Sequence, residues 1–108
     1  MTSAPDNAVM QQVRSADALV LHADDNVATA LRPLAAGAMV WVIGGGLNRQ
    51  VALREAIPLC HKFALVDMAG GAVVRKYGEA IGTAREAVVA GMHVHVHNLE
   101  SRRARKAV

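Results

Sequence analysis

Apolar residues along this chain fall in short runs, and the runs are punctuated by glycine. Residues 27–42 read VATALRPLAAGAMVWV and residues 81–96 read IGTAREAVVAGMHVHV. Without gaps, Thr29 matches Thr83, Ala30 matches Ala84, Ala36 matches Ala90, Gly37 matches Gly91, Val40 matches Val94 and Val42 matches Val96. A shorter copy, Met68 to Val74, lies between them. Each copy has an apolar residue, two small residues, a glycine and then a β-rich run. That order predicts a turn whose glycine takes positive φ, at Gly37, Gly71 and Gly91, followed by a strand. The predicted strands are Met39–Ile43, Ala72–Arg75 and His93–His97, with an earlier one at Ala18–His22. Residues 26–34, 48–57 and 83–89 read equally as short helical turns or as further strands and hairpin arms. Gly44-Gly45-Gly46 reads as a hairpin tip. It is not a nucleotide loop, because Arg49 breaks the glycine spacing and no Gly-Lys-Ser/Thr follows. The result is a compact, mainly β fold with glycine turns and short helical turns. Residues 1–16 form a flexible extension, 17–100 the domain and 101–108 a basic tail.

Composition supports one small domain. The chain has 108 residues, 53% of them hydrophobic and 19% charged, so it can bury one modest core but not also a deep private active site. Aromatics make up only 3%, which argues against a base-stacking platform. The net charge of +3 is a property of the tail, where Arg102, Arg103, Arg105 and Lys106 stand without an acid. The near-neutral body gives no support to specific nucleic-acid binding. Cys60 is the single cysteine, so neither an intrachain disulfide nor a cysteine zinc cluster can form. No secretory signal is evident, and no apolar run approaches the ~20 residues of a membrane span. A cytoplasmic protein is expected.

The internal repeat also acts as a control. Where the first copy has Met39, Trp41 and Ile43, the last has His93, His95 and His97. On a strand these alternate residues share a face. An apolar face has therefore become an imidazole face, suited to acid–base chemistry near neutral pH or to a divalent metal. His61-Lys62 adds a cationic pair suited to a carboxylate or phosphate.

Four strings occur in order: Asp25-Asn26-Val27-Ala28, His61-Lys62-Phe63-Ala64-Leu65, Lys76-Tyr77-Gly78-Glu79-Ala80-Ile81-Gly82 and His93-Val94-His95-Val96-His97-Asn98. Together, over residues 18–100, they resemble the SAF-type domain of the altronate/galactarate dehydratase family. Two positions depart from its pattern: Cys60 stands where glycine is common, and Met92 where a polar residue is common. The resemblance implies a β-clip fold with long crossing hairpins. It also implies a small subunit of a sugar-acid dehydratase, working with a separate large catalytic subunit; a homo-oligomer is compatible with it. The implied reaction removes water from a 2,3-dihydroxy acid to give a 2-keto-3-deoxy acid, with a divalent iron, manganese or magnesium ion held mainly by the large subunit. The expected roles are His95 and His97 in catalysis, His93 and His95 as metal ligands, and His61, Lys62 and Asn98 in substrate binding. Two other readings are a non-catalytic binding or assembly module and the small subunit of a sulfolactate sulfo-lyase.

Overall fold

The computed structural model describes residues 16–101, and among them the ordered elements are strands. They are β1 (Ala18–Leu19), β2 (Val27–Ala30), β3 (Met39–Gly44), β4 (Leu47–Ala52), β5 (Lys62–Ala64), β6 (Val73–Lys76), β7 (Glu79–Ala84), β8 (His93–Val94) and β9 (Leu99–Ser101). A six-stranded sheet has the order β4-β3-β1-β2-β5-β8, and a three-stranded sheet the order β6-β7-β9. Pairing is antiparallel except between β1 and β3. The expected extension, apart from a buried Ala16, and nearly all of the expected tail lie outside the described residues. No helix among the described residues is long and apolar enough to cross a membrane.

The glycine turns form where the repeat places them. Gly37, Gly71 and Gly91 have φ of 82°, 87° and 91°. In each turn the residue after the glycine donates its N–H back to a carbonyl: Ala38 to Ala35, Ala72 to Ala69 and Met92 to Val89. A fourth turn of the same kind is hidden in the sequence. His61 donates to Pro58, and Cys60 sits at the glycine position with φ of 69°. Cys60 thus adopts the backbone that glycine normally supplies, so its departure from the family pattern leaves the turn intact. The turns pair up in space: Leu34 bridges Ile57, and Met68 bridges Val88.

Two hairpins carry most of the ladder. In β3–β4 the pairing runs from Met39↔Ala52 to Gly44↔Leu47, so Gly45-Gly46 forms the tip. In β6–β7 it closes on Lys76↔Glu79, leaving Tyr77-Gly78 at the tip. The buried carboxylate of Asp25 accepts the N–H groups of Tyr77 at 3.0 Å and Gly78 at 2.8 Å. The Asn26 side chain donates to the Val73 carbonyl and accepts from the Arg75 N–H. The Asp25-Asn26 and Lys76–Gly82 strings therefore form one lock between β2 and the second hairpin.

Two apolar clusters fill the interior. One joins Val40 and Val42 of β3 to Ala28, Phe63, Leu65, Ile57 and neighbours. The other joins Val27, Ala64, Val74, Val88 and Val94. Alternation along the strands assigns the faces: Ala28 and Phe63 look into the first cluster, Val27 and Ala64 into the second.

Three expectations need correction. The undecided stretches contain no helical turns: residues 27–30, 47–52 and 79–84 are strands paired in ladders, and the rest of those stretches is bend and bridge. The expected strand Ala18–His22 ends at Leu19. The expected His93–His97 strand ends at Val94, because residues 95–98 turn so that β9 can pair with β7 rather than extend β8. Val94 is buried as its match Val40 is, but Val96 is 73% exposed.

Candidate functional site

The imidazoles come together through that turn and not along a strand face. β5 and β8 pair with Phe63 opposite His93, which carries His61 and His93 to the same face of the sheet edge. His61 Nδ1 lies 2.9 Å from His93 Nε2. The turn at 95–98 then folds His95 back onto both. Its ring stacks on His61 at 4.4 Å between centroids and lies 5.3 Å from His93. One ring nitrogen from each of His61, His93 and His95 falls within 4.8 Å of the other two. His97 is exposed and tilts against His93 at 5.5 Å.

Asn98 builds the turn. It is 1% exposed, its Nδ2 donates to the His93 carbonyl at 2.8 Å, and its Oδ1 accepts the His95 N–H at 2.9 Å. The His95 carbonyl also accepts from the Asn98 and Leu99 N–H groups. Asn98, expected to bind substrate, has its amide buried and engaged with backbone, where it fixes the two histidines.

His61 and Lys62 also separate. Lys62 pairs with Val94 and shares its face with Ala64, so it points to the second cluster's side while His61 points with Phe63 to the other. The expected cationic pair is split across the sheet edge, and His95, beyond the end of β8, feels the charge of Lys62 as well as of His61.

Burial and mutual repulsion disfavour protonation of His93 and His95. Desolvation lowers the pKa of His93, and the neighbouring His61, His95 and His97 lower it further, partly opposed by Glu55. His95 is lowered by desolvation, then by His61, Lys62 and His97. Neutral imidazoles keep lone pairs free to bind a cation or accept a proton. The Glu55 carboxylate also accepts the His93 backbone N–H at 2.7 Å, a contact not foreseen in the sequence. The joining of His61 to His93 was legible in principle. Residues 57–62 repeat the turn pattern, but Cys60 in place of glycine conceals the copy.

The donor set fits a divalent cation. Nitrogens bound at about 2.1 Å to one ion at tetrahedral angles lie about 3.4 Å apart, so the cluster, whose nitrogens spread over up to 4.8 Å, has to contract on binding. Three imidazoles favour a transition metal such as iron or manganese over magnesium, which prefers oxygen.

The architecture is thus a small β domain of the SAF type, two hairpins locked over a split core, carrying a histidine cluster at one sheet edge. The family described as the altronate/galactarate dehydratase SAF domain matches residues 16–102, and the chain belongs to it. Altronate dehydratase of Escherichia coli K12 is 51% identical over 78 residues, 72% of this chain and 15% of that protein. The (2R)-sulfolactate sulfo-lyase subunit alpha of Chromohalobacter salexigens is 37% identical over 92 residues, 82% of this chain and 98% of that subunit. Altronate dehydratase of Bacillus subtilis 168 is 32% identical over 81 residues, 75% of this chain and 16% of that protein. The chain therefore corresponds to about one-sixth of each dehydratase but to nearly the whole of the sulfo-lyase subunit.

Proposed function

We propose that this chain is the small subunit of a cytoplasmic sugar-acid hydro-lyase, acting with a separate large subunit on an altronate-like 2,3-dihydroxy acid. The observation that carries this reading is the convergence of His61, His93 and His95 on one open edge of a domain that the dehydratases contain. Elimination needs a base for the proton beside the carboxylate and an acid for the departing hydroxyl. The C–H electron pair forms the new double bond, the C–O bond breaks, water leaves and the enol becomes a 2-keto-3-deoxy acid. In this reading His95, whose protonation the neighbouring imidazoles and Lys62 disfavour, moves one of these protons, with exposed His97 relaying it to solvent. His61 and His93, whose ring nitrogens face each other at 2.9 Å, would hold a divalent cation, whose charge would offset that developing on the substrate carboxylate. The edge is open, so the large subunit supplies the remaining walls and groups.

The near-complete match to a sulfo-lyase subunit favours a second reading, in which sulfite leaves instead of hydroxide. One experiment separates them. The tagged chain is pulled down from its native cytosol, co-eluting proteins are identified by mass spectrometry, and the purified complex is assayed for 2-keto-3-deoxy acid from altronate and for sulfite from sulfolactate. A large partner and the keto acid support the hydro-lyase; sulfite supports the alternative. Absence of a partner, with ligand binding but no turnover, makes the chain a non-catalytic binding module.

A further inference from the structure

Along the outer edge of the six-stranded sheet runs a cavity of about 400 Å³ with no histidine in its lining. The four consecutive residues 49–52 of β4 line it, together with Arg54, Leu65 and Ala90. Successive side chains of a strand point to opposite faces, so a cavity touched by four in a row follows the strand's edge. β4 ends its sheet, with β3 on one side only. Leu65, just after β5, and Ala90, in the turn before β8, make the opposite wall. The two walls are tied together. The Arg54 N–H donates to the Gly91 carbonyl at 3.0 Å, and the Arg49 guanidinium donates to the Leu65 carbonyl at 2.6 Å. Gly91 packs so closely on β4 that a Cβ there would overlap the Ala52 carbonyl oxygen. The lining is cationic and its charge is unmatched. Among the described residues the ion pairs are His22–Asp24 and Arg32–Asp17, so neither Arg49 nor Arg54 is paired with a carboxylate. The acids closest in the chain to the walls are engaged elsewhere: Glu55 accepts the His93 N–H at 2.7 Å, and Asp67 the Ala90 N–H at 2.9 Å. Buried Val51 and Leu65 give the cavity an apolar floor.

We propose that this cavity is a binding site for a small phosphorylated molecule, with Arg49 and Arg54 holding the phosphoryl group and Val51, Leu65 and Ala90 receiving the body. A guanidinium presents a planar fork of donors that matches an oxyanion two oxygens at a time. Two forks in one cavity exceed what a single carboxylate accepts, and they suit a dianion with three terminal oxygens. Arg49 is already held by the Leu65 carbonyl, so it loses less freedom on binding than a loose surface arginine. The Gln50 amide can donate to the same group or to a hydroxyl beside it. The volume falls in the range of small-molecule clefts, and a bare anion would leave most of the apolar wall uncovered. The site neighbours the imidazole cluster without sharing a side chain with it: Arg54 lines the cavity, while the next residue, Glu55, reaches back to His93. The inference goes beyond the hydro-lyase reading and does not depend on it.

The test is an NMR titration of the full chain with sodium phosphate, phenyl phosphate and benzoate at constant ionic strength, following the arginine Nε–H and backbone amide signals. Saturable shifts are expected at residues 49–54, Leu65 and Ala90, with phenyl phosphate bound more tightly than phosphate and far more tightly than benzoate. Arg49→Gln and Arg54→Gln should each weaken phenyl phosphate binding about tenfold, the loss of one charge-assisted hydrogen bond. Arg49→Lys should also weaken it, because an ammonium has no fork, while His61→Ala leaves it unchanged. The Arg54 side chain makes no hydrogen bond or ion pair among the described residues, so its replacement tests the site without disturbing β4. Shifts confined to the basic residues 102–106, equal affinity for benzoate, or unchanged binding in Arg54→Gln would each overturn the inference. Turnover is not measured, so a chain that binds phosphate here but supports no elimination keeps this site and loses the hydro-lyase reading.

Discussion

His61 Nδ1 and His93 Nε2 face each other at 2.9 Å across the β5–β8 pair, joining residues 32 positions apart in the chain. One nitrogen must donate and the other accept, so a cation bound by both rings has to displace the hydrogen between them, which moves to the far nitrogen of its ring. Titration of the apo chain with Fe(II) or Mn(II) is expected to show one ion per chain, with affinity lowered at least tenfold in His61→Ala or His93→Ala. Stoichiometric binding unaffected by both substitutions would place the metal elsewhere.

Asn98 holds the turn that brings His95 into the cluster. Asn98→Ala removes two side-chain hydrogen bonds and leaves the His95 N–H and His93 carbonyl without those partners. The expected cost is about 2–3 kcal/mol, in the range for buried backbone groups left unsatisfied. Thermal or urea unfolding measures it. A stability within 0.5 kcal/mol (roughly the scatter of neutral surface changes) would show that the turn stands without Asn98.

Cys60 occupies a left-handed backbone at φ 69°. Such a conformation costs a side-chain-bearing residue about 1–2 kcal/mol, and glycine avoids that cost while losing ~0.5–1 kcal/mol to backbone entropy. Cys60→Gly is thus expected to raise the melting temperature slightly, and Cys60→Val to lower it clearly. The opposite order would mean that the thiol makes a stabilising contact which outweighs the backbone strain.

Stability should fall on mild acidification. His93 and His95 have lowered pKa values in the fold, so below about pH 6.5 the unfolded chain takes up protons before the native one does. Unfolding free energy then decreases as pH drops from 7 toward 5. His93→Asn combined with His95→Asn should flatten this dependence. A melting temperature that rises on acidification would reverse the sign of the argument.

Much of this was legible in the chain because the glycine turns repeat. Gly37, Gly71 and Gly91 announce positive φ, and Val40 and Val94 announce the buried face that follows. The histidine cluster showed in its composition but not in its geometry. Strand alternation alone puts His93, His95 and His97 in a row, whereas a buried Asn98 side chain ends the strand and stacks His95 on His61 instead. The copy of the turn that carries His61 was hidden because Cys60 bears a backbone conformation which nothing about cysteine signals. The separation of Lys62 from His61 follows from alternation once β5 is known, but the short Lys62–Ala64 strand could not be placed without its partners β2 and β8. The Asp25–Asn26 lock joins segments 47–53 residues apart, a distance no local pattern spans.

The central claim is that the imidazole cluster takes part in the elimination. Its most direct test is the steady-state rate of the purified complex carrying His95→Ala, with Lys62 and Asn98 intact. The expected result is a fall in kcat of tenfold or more, the low end for a lost acid–base group, with the complex still assembled. An unchanged kcat would contradict the claim and leave the domain a binding module on its partner.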